Sequence, residues 1–127
     1  MMNTAKSVGI WMDHSKAHVM EFTTAIKTVY IESEFTHHEK EKSLAKGEKS
    51  MHNKEQHLQA EYFKKLEEII KHHEEVLLFG PSDAKQELAN LLRENHLYDS
   101  IKIDVVQADK MTTNQEHAFV RHHFSRH

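Results

Sequence analysis

Apolar and polar residues alternate with a period of two through the first third of the chain, and with a helical period beyond it. Over residues 7–13, Val8, Ile10 and Met12 alternate with Gly9 and Trp11, which predicts a first strand. Residues 18–24 predict a second, with Val19 and Glu21 on one face and Met20 and Phe22 on the other. Residues 27–34 predict a third, where Val29 and Ile31 alternate against Thr28, Tyr30 and Glu32. The polar turn Asp13-His14-Ser15-Lys16 and a short turn near Ala25-Ile26 join these strands into an antiparallel meander.

From about Asn53 to His73 the spacing changes. Leu58, Tyr62, Leu66 and Ile69 recur at helical intervals, with Phe63 and Ile70 beside them, while Glu55, Glu61, Lys64, Lys65, Glu68 and Lys71 take the other face. Asn53 is the expected cap of this helix and Gln56 its reciprocal partner. Val76 to Phe79 is then a continuous apolar run, as expected of a strand buried on both faces, and it is placed in the middle of the sheet. Gly80-Pro81 ends it, because proline brings no N–H to the ladder. Ser82 is the expected cap of a second helix to about Glu94, with Ala84, Leu88, Leu91 and Leu92 inward. A last strand over 100–106 precedes a final helix, with Thr113 and Glu116 as its capping box and Ala118, Phe119, Val120 and Phe124 along it.

The order is β-β-β-α-β-α-β-α. Right-handed crossovers put the meander on one side and the two parallel strands on the other. The simplest solution is one α/β domain over residues 1–127: a five-stranded mixed sheet of order 3-2-1-4-5 with helices on its faces, a ribonuclease H-like layout. A long, apolar-poor stretch over 35–52 is expected to be a loop, and loops of that length in compact domains are usually functional or disordered.

Composition narrows the function. Charged residues make up 29% of the chain against 38% apolar, no apolar run is long enough to cross a bilayer, and the N-terminus lacks the apolar segment of a secretory signal, so a cytoplasmic protein without a membrane partner is expected. The absence of cysteine excludes disulfides and thiolate metal sites. A net charge of −3 is not that of a general polyanion binder, so any nucleic-acid contact must be local.

Three kinds of chemistry can be weighed. A two-metal nuclease on this layout needs clustered carboxylates. Asp13 ends the first strand and Glu55 or Glu61 can supply a helix acid, but the fourth strand ends at Phe79-Gly80 with Asp83 already in the next helix, so the set is incomplete and Asp13 reads as a turn residue. Thirteen histidines raise the question of metal binding. His123 and His127 share a face if the last helix continues, but His117 and His122 point elsewhere, the pairs His37-His38 and His72-His73 cannot easily share one ion, and no ligand motif is complete. They read as solvated surface histidines, and no cofactor is expected. The third candidate is the stretch around Gly47, where Lys40, Lys42, Lys46, Lys49 and Lys54, with His37, His38 and His52, suit a phosphate backbone. Read from residues alone, it is equally a solvated loop, since Glu39, Glu41 and Glu48 dilute its charge.

The chain resembles the middle domain of archaeal and eukaryotic class 1 release factors and of the stalled-ribosome rescue factor Pelota, and short bacterial relatives of that domain. Three segments carry the likeness. Val8-Gly9-Ile10-Trp11-Met12-Asp13-His14-Ser15-Lys16-Ala17 resembles the first hairpin. Lys46-Gly47-Glu48-Lys49-Ser50 stands where release factors carry Lys-Gly-Gly-Gln-Ser, ahead of the long helix with Tyr62-Phe63-Lys64-Lys65. Leu77-Leu78-Phe79-Gly80-Pro81-Ser82-Asp83-Ala84-Lys85 resembles their strand, Gly-Pro-Gly turn and helix with its lysine. The Gly-Gly-Gln loop supports peptidyl-tRNA hydrolysis. Here Glu48 replaces the second glycine and Lys49 the glutamine, so the resemblance implies the fold and an association with ribosomes or tRNA, but no hydrolase. The RNA-contacting set it implies is Lys40, Lys42, Lys46, Gly47, Glu48, Lys49, His52 and Lys54. The alternative is a protein–protein interaction module or homo-oligomer without nucleic acid.

Overall fold

The structure, a computed structural model, describes residues 6–23, 25–32 and 48–125, with the backbone alone over 48–55. Among these residues five strands and three helices follow in order: β1 (Ser7–Met12), β2 (Lys16–Phe22), β3 (Ile26–Glu32), α1 (Glu48–Ile70), β4 (Glu75–Gly80), α2 (Ala84–Arg93), a 3-10 turn at His96–Tyr98, β5 (Lys102–Gln107) and α3 (Thr113–Ser125). The sheet order is β3-β2-β1-β4-β5, as the alternation predicts. β1 pairs antiparallel with β2 and parallel with β4. The middle of the sheet is therefore β1. β4, expected there for its apolar run, is its inner neighbour, because the meander contributes two strands on the far side of β1 and only β5 lies beyond β4.

The parity of each strand splits the core in two. Val8, Ile10, Met12, Ala17, Val19, Val76 and Leu78 face α1 and α2, where Tyr62, Leu66, Ile70, Leu88 and Leu92 cover them. Trp11, Met20, Leu77 and Phe79 face α3, where Val120 and Phe124 cover them. Two glycines let chains approach closely. A Cβ on Gly9 would stand 2.4 Å from Val120 Cγ2, so α3 lies directly against the backbone of β1. Gly80 has φ +152°, and a Cβ there would meet the Met12 carbonyl oxygen at 2.1 Å.

Several helix ends differ from their expected places. α1 spans Glu48–Ile70, so Asn53 lies within the helix and residues 48–52 of the expected loop are helical, the rest of that loop lying outside the described residues. α2 begins at Ala84; Ser82 Oγ accepts from the Ala84 N–H at 3.3 Å, and Asp83 is the cap residue. Ala89, not Leu91, completes the buried stripe of α2, and Leu91 is 44% exposed. The capping box of α3 sits one residue early: Thr112 Oγ1 accepts from the Gln115 N–H at 3.2 Å, and Gln115 Oε1 accepts from the Thr112 N–H at 2.9 Å. That frees Glu116 for a different task.

Candidate nucleic-acid interface

α1 runs antiparallel to β1 and carries the second half of the basic stretch at its N-terminus. The Tyr62 hydroxyl donates to the Asp13 carbonyl at 2.9 Å, which fixes this point of the helix at the C-terminal end of β1. Burial, with the Asp13 charge nearby, pushes the Tyr62 hydroxyl far above the ordinary range for a phenol. Glu48, Lys49, His52 and Lys54 belong to the helical turns before that point. Glu48 lies about 21 Å of helical rise ahead of Tyr62, at 1.5 Å per residue. Lys40, Lys42, Lys46 and Gly47 lie outside the described residues. The positive end of the helix dipole and Lys49 therefore fall within the first described turn of α1, which starts two residues after Lys46 in sequence.

The carboxylates weighed for metal chemistry have other partners. Asp13 Oδ1 accepts from the Ser15 N–H at 2.8 Å, the Lys16 N–H at 2.9 Å and the Ser15 hydroxyl at 3.1 Å. Partial burial would raise its pKa, but these donors and the Lys16 charge together hold the carboxyl below its usual value. The arrangement closes the β1–β2 turn. Glu61 pairs with His57 at 3.3 Å on the exposed face of α1. Glu55 lies where only the backbone is described, and Asp83 is the cap residue of α2. Among the described residues no three histidine, aspartate or glutamate side chains converge on one point.

The turn after β4 shows what its lysine does. Lys85 is 4% exposed, and its ammonium donates to the Ser82 carbonyl and, at 2.9 Å, to Gln107 Oε1. Gln107 Nε2 in turn donates to the Pro81 carbonyl at 3.1 Å. The lysine thereby ties the Gly80-Pro81 turn to the end of β5.

The expectation of solvated surface histidines is overturned for four of them, His18, His73, His117 and His123, which are partly or fully buried and bridge elements far apart in sequence. His18 Nδ1 bonds both carboxylate oxygens of Glu116, at 2.9 and 3.0 Å, joining β2 to a buried acid on α3. The His18 ring stacks on Trp11 at 5.1 Å and meets the edge of Tyr30 at 4.9 Å, so three aromatic rings cross β1, β2 and β3 in one row. His117 Nε2 bonds Thr28 Oγ1 at 2.9 Å, and His123 Nε2 bonds Asp104 Oδ2 at 3.1 Å. His73, only 4% exposed, bonds the Ile69 carbonyl at 2.9 Å through Nδ1 and Glu21 Oε2 at 3.1 Å through Nε2. His14 reaches Glu87 on α2 at 3.1 Å. Sequence spacing could not reveal these pairs, because the partners lie on different elements. The one local signal was Glu21 and Glu116 interrupting apolar stripes.

The arrangement defines a class first: one α/β domain whose five-stranded mixed sheet of order 3-2-1-4-5 carries two helices on one face and one on the other. Solved structures then supply the likeness. The chain is similar to Pelota of Archaeoglobus fulgidus with a TM-score of 0.60 at 11% identity, over 95% of this chain and 32% of that one. It is similar to Pelota of Thermoplasma acidophilum with a TM-score of 0.54 at 12% identity, over 93% of this chain and 32% of that one. The chain thus spans about a third of the length of each, and its fold is Pelota-like over that part. No family model and no curated protein sequence matches it.

Proposed function

We propose that the chain is a non-catalytic, ribosome- or RNA-associated cytoplasmic protein that acts on stalled or resting ribosomes. Its contact is the basic stretch comprising Lys40, Lys42, Lys46, Gly47, Glu48, Lys49, His52 and Lys54. The observation that carries this reading is the Pelota-like fold, combined with a lysine-rich segment that leads into the N-terminus of α1. Lysines there, together with the helix dipole, would hold phosphates and make the association salt-dependent. The substitution of Glu48 and Lys49 into the position of a Gly-Gly-Gln loop supports the non-catalytic part: a glutamine that would place a hydrolytic water is absent from that place.

The test is sedimentation of the tagged protein from growing and starved cells through a sucrose gradient at low and high salt. Co-migration with ribosomes is expected at low salt and loss at high salt, and replacing Lys46, Lys49 and Lys54 together by alanine should abolish it. Residence at the top of the gradient under every condition would overturn the reading and leave an interaction module or homo-oligomer instead.

A further inference from the structure

Four large hydrophobic side chains are exposed among the described residues, and two of them, Leu91 at 44% and Leu97 at 79%, line the same shallow groove. The groove has a volume of about 500 Å³ and lies where the end of α2 and the 3-10 turn meet α1. Its other lining residues are Glu67, Glu94, Asn95 and His96. Leu97 is held out rigidly. The Asn95 side chain accepts from the Leu97 N–H at 3.0 Å, and the next residue, Tyr98, is buried with its hydroxyl donating to the Glu67 carbonyl at 3.0 Å. With the backbone anchored in this way, covering Leu97 costs side-chain freedom but little further backbone ordering.

The rim has a definite charge. Glu67 and Glu94 make no hydrogen bond or ion pair through their carboxylates among the described residues. Lys71, one turn on from Glu67, pairs with Glu68 at 2.7 Å, and the His96 ring bonds Asp99 at 3.1 Å. Partial burial and repulsion from Glu68 push the Glu67 carboxyl above its ordinary value, against the weaker pull of Lys64. A cation arriving from outside would relieve that repulsion.

We infer that this groove docks a partner helix that lays leucine-like side chains over Leu91 and Leu97 and sets lysine or arginine against Glu67 and Glu94. The groove is walled by Glu67 of α1, by Leu91 and Glu94 at the end of α2 and by the 3-10 turn, and a helix laid across it would use the helix-in-groove mode of recognition. The surface lies on α1 and α2 beyond the basic stretch, and the inference does not depend on the proposed ribosome association.

The probe is a synthetic amphipathic helical peptide with leucines at i, i+3, i+4 and i+7 and lysine and arginine along both flanks. A twin peptide has glutamate in place of the basic residues. Fluorescence anisotropy on the full chain should show binding of the basic peptide and not of the acidic one. Leu97→Ser and Leu91→Ser, both surface changes whose folding is checked by thermal unfolding, should each weaken it on the order of tenfold, about 1.4 kcal/mol. Glu67→Lys combined with Glu94→Lys should transfer the preference to the acidic peptide. Binding of neither peptide, or binding that ignores all four substitutions, would overturn the inference. So would concentration-dependent self-association that Leu97→Ser removes, which would assign the groove to a second copy of the chain.

Discussion

Sixteen buried apolar residues join the sheet to α1 and α2, whereas seven join it to α3 among the described residues. The larger layer is mostly aliphatic and closes around Leu66, Leu78 and Leu88. The smaller one is built on rings: Trp11, Phe79 and Phe124, with Phe119 stacked on Phe79 at 4.7 Å. It is also the face where polar bonds replace missing apolar area, through His18–Glu116, Thr28–His117 and Asp104–His123. One sheet is thus held in two ways. Burial is non-directional and tolerates small shifts of a helix. On the larger face α1 adds the Tyr62 bond to the Asp13 carbonyl and α2 the exposed His14–Glu87 contact, whereas on the smaller face hydrogen bonds from three strands to one helix fix its rotation and position.

The contrast can be broken on the larger side first. Leu66→Ala removes a fully buried side chain at the centre of that layer and should cost about 3 to 4 kcal/mol in denaturant unfolding, with every probe losing the fold together. A loss confined to α1 would sink the idea that this layer holds the whole domain. On the α3 side, His18→Ala leaves the Glu116 carboxylate buried without its partner and should cost about 2 to 3 kcal/mol. Replacing both residues by leucine should recover most of that loss, and hydrogen exchange should show the opening concentrated in α3. Additive losses in the double-mutant cycle would mean that the two side chains are not coupled. The smallest effect sharpens the picture of close approach: Gly9→Ala pushes a Cβ into the stiff Val120 side chain and should cost about 1 to 2 kcal/mol. Val120→Ala in the same chain should make room for the new methyl, so the pair should cost less than the two changes summed, read from the same unfolding curves.

How much of this was legible depended on whether the signal was local. Strand parity, the helical spacing of Leu58 to Ile70 and the Gly80-Pro81 break are properties of neighbouring residues, and they led to the right order of elements and sheet. Helix starts were less legible because several polar residues compete for each cap. Thr112 with Gln115 and Thr113 with Glu116 have the same spacing, and only the partner of Glu116 across the sheet decides between them. Leu91 satisfied the apolar pattern of α2, yet it faces outward, since Ala89 and Lys85 complete the inner stripe where β4 and β5 lie close. Of the expected RNA-contacting set, the spacing of lysines could indicate charge but not that the chain is already helical from Glu48 on.

The position of β1 has a consequence for how the chain is made. It pairs on one side with β2, its immediate successor, and on the other with β4, where Ser7 stands beside Glu75, 68 residues later. At translation rates of roughly 5–20 residues per second, that interval takes on the order of 3 to 14 s. For that time β1 leaves the synthesising machine with its own hairpin formed and its far edge unpaired, while Trp11 and Ile10 wait for covers that do not yet exist. The central strand of the finished protein is thus the edge strand of the nascent one, and the step at greatest hazard of association between neighbouring chains is the wait for β4.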